Sequence, residues 1–270
     1  MLKEIYKEVN EALEEAYNKM YSSDYNSYIL YIGRAEFIPE LETSMFSGYV
    51  IDYQLDRYND ETREAFYLHY MNRNYTREEF HYEGDNGIDD LSIEMMIYSH
   101  MWDSTYFIKS LVRMASILSG KGYKWDVEIS DYKREQFIQN NIIDPLSSTN
   151  MKISDIIRKA YKRSVRNAFA HSLYTTDSER KNISLRTRSG NEKLSFDEFQ
   201  TLFLYSVILM NKMQNFLEGN HKIAVSSCGA LTESFSLPNG MTVQIFSEEV
   251  GRGKKLFHEL RMYRINKPEE

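Results

Sequence analysis

The 270-residue chain reads as mainly α-helical: a helical bundle, an additional helical N-terminal region and a small C-terminal β appendage. Three observations carry that reading. Only 4 Pro and 12 Gly occur in 270 residues, well under the usual shares of about 5% and 7%, so few residues interrupt a helix. Apolar residues recur at helical spacing over long stretches. Beyond Ile223 the texture changes to short alternating runs.

Residues 1 to about 20 form the first amphipathic element, with Leu2, Ile5, Tyr6, Val9, Leu13, Ala16, Tyr17 and Met20 on one helical face. Apolar clusters at Tyr28–Ile32, Tyr49–Leu55 and Ala65–Met71 predict short helices, and Thr76-Arg77-Glu78-Glu79 has capping-box spacing. The run Glu83-Gly84-Asp85-Asn86-Gly87 marks a break, so residues 1–90 are taken as one region and 91–220 as the next. A long helix is expected from Leu91 to Ser119, stopped by Gly120 and Gly122. A second runs from Lys133 to Ile143 and ends before Pro145. A third spans Lys152 to Ser172. Asn182 to Leu194 reads as a β-hairpin around Ser189-Gly190-Asn191. Ser195-Phe196-Asp197-Glu198 caps a fourth helix to Leu217 that is apolar almost all round and therefore central. In the appendage, residues 221–270, Pro238-Asn239-Gly240 turns between Ser234–Leu237 and Met241–Phe246.

Composition excludes several classes of function. Hydrophobic content of 42% is too high for a disordered chain. The uncharged stretches Phe199 to Asn211 and Ser234 to Ser247 are too short to span a bilayer, which takes about 20 residues. The acids near Met1 do not suit a signal peptide, so a cytoplasmic protein without a membrane partner is expected. One cysteine, Cys228, excludes an internal disulfide. Gly251-Arg252-Gly253-Lys254-Lys255 lacks the spacing of a phosphate-binding P-loop, and His258-Glu259 lacks the second histidine of a zinc helix. No metal or cofactor is expected.

The third helix carries chemistry. At about 100° per residue, Ala160, Ser164 and His171 fall within roughly 20° of Ile153, and Asn167 lies about 40° to one side. The expected core-facing stripe thus turns small and polar towards its carboxyl end. Charge concentrates here too: Lys152 to Lys193 holds eleven basic and four acidic side chains, a net of +7 inside a chain of −7. Residues 1 to 100 hold 8 basic and 21 acidic side chains, a net of −13, which suggests an acidic half able to cover a basic face. A basic surface beside a histidine, whose ordinary pKa of about 6.5 suits proton transfer, is what phosphodiester cleavage requires. Arg158, Lys159, Lys162 and Arg163 are the candidate RNA-binding side chains.

Arg166-Asn167-Ala168-Phe169-Ala170-His171 resembles the Arg-x4-His motif of the HEPN superfamily (higher eukaryotes and prokaryotes nucleotide-binding domains). The resemblance extends through Ser172-Leu173-Tyr174, the earlier helix with Ser99-His100-Met101-Trp102-Asp103, and the apolar helix after the hairpin, roughly residues 91 to 218. It implies a four- or five-helix bundle that dimerises to bring two motifs into one cleft. It also implies a metal-independent endoribonuclease of the toxin or defence type, with an antitoxin or regulatory partner. His171 would then be the general acid or base, Arg166 would stabilise phosphate charge and Asn167 would orient groups in the cleft. Asp103, His100 and Tyr174 are supporting candidates. Arg166 and His171 stand about 140° apart on an ideal helix, which a second subunit would reconcile. The alternative is a non-catalytic HEPN-like module that binds nucleotide or RNA, or serves dimerisation.

Overall fold

The last long helix organises the molecule. In the computed structural model, which describes residues 1–43, 47–74, 87–129, 133–177, 182–187, 190–252 and 255–265, helix α10 runs from Phe196 to Ser226. Every residue from Leu202 to Met210 is buried, as its all-round apolar sequence requires. Ser195 caps it with a complete capping box: its hydroxyl accepts from the Glu198 amide at 3.2 Å, and its own amide donates to Glu198 Oε2 at 2.8 Å.

Around α10 pack the amphipathic helices. Helix α1, Leu2–Ser23, buries Ile5, Val9, Ala12, Leu13, Ala16, Tyr17 and Met20 against α10 and α8, Lys152–Ala160. Helix α2, Tyr25–Ile32, follows after Asp24, whose carboxylate caps it by accepting from the Ser27 amide at 3.0 Å. One hydrophobic core includes α1, α2 and α10 and crosses the boundary expected near residue 90. The short helix expected at Tyr49–Leu55 is instead a strand pair, β1 (Glu36–Phe37) with β2 (Tyr49–Val50), before α3 opens at Leu55 and runs to Asn74. Phe37 and Tyr49 are cross-strand partners, and that pairing outweighs the local helical spacing. The Thr76 capping box and most of the Glu83–Gly87 break lie outside the described residues.

Three expected helices are modified. Leu91 to Ser119 is two helices, α4 (Gly87–Met101) and α5 (Thr105–Leu118), separated at Trp102-Asp103-Ser104. Ser104 caps α5, accepting from the Phe107 amide at 3.1 Å, and donates its hydroxyl to buried Asp60 of α3; Asp60 also accepts from the Tyr106 amide at 3.1 Å. The helix expected to stop before Pro145 passes it: α6 (Arg134–Ile138) widens into a π turn at Gln139–Ile143 and continues as α7 (Asp144–Ser147). The wider turn gives the pyrrolidine ring room against the preceding backbone.

The third change matters most. Lys152 to Ser172 is not one helix but α8 and α9 (Arg163–Ala170), broken at Tyr161-Lys162. No glycine or proline stands there. Side chains from other helices take over the backbone groups: Ser206 Oγ of α10 donates to the Ala160 carbonyl at 2.6 Å, and the Tyr98 hydroxyl of α4 accepts from the Lys162 amide at 2.7 Å. Trp102 Nε1 donates to Ser206 Oγ at 3.2 Å, so α4, α10 and the turn after α4 together hold the break.

The expected hairpin is present as β4 (Asn182–Thr187) and β5 (Gly190–Ser195), with an unanticipated third strand, β3 (Tyr174–Thr176), pairing Tyr174 with Leu185. Ile183, Leu185 and Leu194 are buried, and the sheet packs on α9 and α10. The appendage is a four-stranded sheet of β6 (Gly229–Ala230), β7 (Phe235–Ser236), β8 (Thr242–Arg252) and β9 (Lys255–Arg264), with β8 central. It rests on the end of α10, which extends past the expected boundary at 220.

Candidate functional site

The break between α8 and α9 decides what the basic segment can do, because it splits the predicted stripe. On α8, Lys159 Nζ pairs with Glu8 of α1 at 2.6 Å and with the Tyr205 hydroxyl at 3.2 Å. Hydrogen bonds from Lys159 and Tyr205 hold the Glu8 carboxyl below its usual range. Lys152 pairs with Glu11 at 3.1 Å, and its amide donates to Glu15. The acids of α1 therefore lie along α8. Arg158 is on the outer side, donating to Ser147 Oγ at 2.7 Å. At the break, Lys162 reaches Glu192 of β5 at 2.7 Å. Burial pushes the Glu192 carboxyl up, but hydrogen bonds from Lys162 and Ser164 outweigh it and leave the carboxyl lowered. With Arg163 paired to Glu135 of α6, the four candidate RNA-binding groups face four different elements and form no continuous track.

Helix α9 gathers the rest. Arg166 donates Nη2 to Asp103 Oδ1 at 2.6 Å and Nη1 to its neighbour Asn167 Oδ1 at 3.1 Å; its side chain is only 18% exposed, and its Nε has no partner among the described residues. Asp103 belongs to the turn between α4 and α5, and its carbonyl accepts from Arg134 of α6 at 3.2 Å. Asn167 Nδ2 donates to Glu135 Oε2 at 2.8 Å, and the same oxygen forms an ion pair with Arg163. The Tyr161 hydroxyl, buried and unpartnered, stands in the field of Arg166, Glu135, Arg163 and Asp103. Burial chiefly pushes its pKa up to about 12, so it stays a donor. Five charged groups, one amide and one phenol thus converge from the α4–α5 turn, α6, the break and α9.

No family model, curated protein or solved structure matches the chain. The site is therefore argued from its own geometry.

His171 departs from the expected core-facing stripe. It is exposed, and its imidazole makes no hydrogen bond among the described residues. It is the C-cap that follows α9 and precedes Ser172 at φ 54°. The helix stops because Ser172 adopts the left-handed conformation, with the Leu173 amide on the Ala168 carbonyl at 2.7 Å and the Ser172 amide on Phe169 at 3.1 Å. His171 follows Asn167 by four residues, so it leaves the helix on the Asn167 face and away from Arg166. Of the supporting candidates, Asp103 joins Arg166 directly. Tyr174 packs on Phe169, with ring centroids 6.0 Å apart, and His100 is exposed on α4 without a hydrogen bond or ion pair among the described residues. Glu135, Arg134 and Tyr161 had not been singled out in the sequence. Tyr161 adjoins the basic run, but the two α6 residues lie about thirty positions before the motif, and no local pattern connects them.

No group of three or more His, Cys, Asp or Glu side chains stands together as metal ligands among the described residues. Nor is any helix among them long and apolar enough to cross a membrane.

Proposed function

We propose that the chain is a cytoplasmic, metal-independent endoribonuclease of the HEPN type, acting as a dimer through Arg166, Asn167 and His171, with a regulatory or antitoxin partner. The supporting observation is the pairing of Arg166 with Asp103 beside an exposed His171 at the end of the same short helix. In the proposed reaction the His171 imidazole takes the proton of a ribose 2′-hydroxyl, and the 2′-oxygen attacks the adjacent phosphorus. The bond to the 5′-oxygen breaks, and that oxygen takes up a proton. The products are a 2′,3′-cyclic phosphate and a 5′-hydroxyl. Arg166, oriented by Asp103, offers charge to the phosphate, and Asn167 fixes its orientation. Because His171 leaves the helix away from Arg166, the catalytic pair is completed by a second copy.

A second reading, a binding or dimerisation module without catalysis, is favoured by one fact: two of the three Arg166 nitrogens are already held within the chain. Cleavage of RNA in EDTA separates the two. Wild type should cut, and both Arg166→Ala and His171→Ala should lose at least a hundredfold in rate, the scale of general acid–base catalysis. No cleavage by a folded wild-type dimer refutes the nuclease reading, and activity that survives His171→Ala refutes the mechanism.

A further inference from the structure

Glu135 lies between Arg163 and Asn167. One of its oxygens is paired with Arg163 and accepts from Asn167 Nδ2, so a guanidinium and an amide meet at a single point. A non-bridging phosphate oxygen makes the same demands as that carboxylate oxygen. The charge balance agrees. Arg134, Arg163 and Arg166 face Asp103 and Glu135, so exchanging Glu135 for one phosphodiester leaves the net charge of the cluster unchanged.

The two acids differ in how firmly they are held. Asp103 sits in a turn fixed by Ser104, by the buried Asp60 and by Trp102, and it orients Arg166. Glu135 lies on a helix of five residues, entered through Lys133 at φ 61° and left through a π turn, two sparsely populated local conformations of the kind that cluster at functional sites. Its partner Arg163 has a 62% exposed side chain, and an ion pair so open to water is weak. Two further donors of the cluster, Arg166 Nε and the Tyr161 hydroxyl, are buried without an acceptor among the described residues.

We infer that Arg163 and Asn167 form a phosphate-binding subsite for an RNA strand, and that Glu135 closes it in the free protein as an internal mimic of the phosphate. The inference rests on the ribonuclease reading for the identity of the strand. When the strand binds, the Glu135 carboxylate swings into solvent and a backbone phosphate takes its two donors. The subsite is thus self-occupied until a strand, or a partner that draws α6 away, opens it.

The test uses a short single-stranded oligoribonucleotide with 2′-O-methyl substitution at every position, which the enzyme cannot cut because the attacking 2′-oxygen is blocked. Binding to the full-length protein is followed by fluorescence anisotropy. Glu135→Gln and Glu135→Ala should tighten Kd by about tenfold, the scale of one charge-assisted hydrogen bond exchanged. Glu233→Gln, which removes the same charge from the exposed C-terminal region, should not. No tightening in either Glu135 variant, with both folded by circular dichroism, overturns the inference, as does an equal gain in Glu233→Gln. The parallel cleavage assay keeps the two proposals apart. Tighter binding with no RNA cut by any form sinks the nuclease and leaves the subsite standing. Cleavage by wild type without tightening in the Glu135 variants does the reverse.

Discussion

Tyr98→Phe probes the break that shapes the site. The substitution keeps the ring, which is fully buried against Phe199, and removes only the hydroxyl that accepts from the Lys162 amide at 2.7 Å. The break leaves that amide outside both helical ladders, so it loses its partner. An orphaned amide of this kind costs about 1 to 3 kcal/mol, and about 2 kcal/mol shifts Tm by roughly 4–8 °C in a chain of this size. Thermal unfolding by circular dichroism measures the shift. Hydrogen exchange at the Lys162 amide gives a second reading and should speed up in the variant. A Tm within 1 °C of wild type, together with unchanged exchange there, would show that the hydroxyl does not hold the break.

Three further expectations follow from individual contacts. Ser195→Ala removes half of the capping box of α10 and should cost about 1 kcal/mol in urea unfolding, with an unchanged m-value. Glu94, only 1% exposed, has its carboxyl pushed by burial from 4.5 up to about 8, against a smaller lowering by the Tyr70 hydroxyl. The folded state therefore keeps a proton that the unfolded chain releases, and stability falls between pH 4.5 and 8 by about 1.4 kcal/mol per unit. Glu94→Gln should abolish that slope, and a Tm that declines equally with pH in both proteins would rule the buried acid out as its source. Asp103→Ala frees the Arg166 guanidinium and should cost about 1 to 3 kcal/mol, with Asp103→Asn recovering part of it. Equal stability of all three in urea would mean that the pair contributes nothing.

Elements whose determinants are local were legible in the sequence. The face of α1, the capping box at Ser195 and the hairpin pairing Ile183 with Leu194 all follow from residues a few positions apart. The breaks were not. Asp103-Ser104-Thr105 carries a cap signal that the surrounding periodicity masked, and the Tyr161-Lys162 break has no local signal, since its cause is Tyr98 and Ser206 on other helices. The same long-range dependence hid Glu135. The run of basic residues was legible as charge but not as a surface: its members turn to α1, β5, α6 and the α4–α5 turn once the helix divides. Arg166 with Asp103 was within reach because the resemblance had named both positions.

The division of α8 from α9 leaves Arg166 and Asn167 on a helix of only eight residues, with His171 as its C-cap. A segment of about that length is not helical alone in water, because nucleation costs more than so few turns return. Its order is borrowed from Tyr98, Asp103, Glu135 and the hairpin beneath it. A synthetic peptide covering residues 160–175 would be a coil with the same side chains and none of their arrangement.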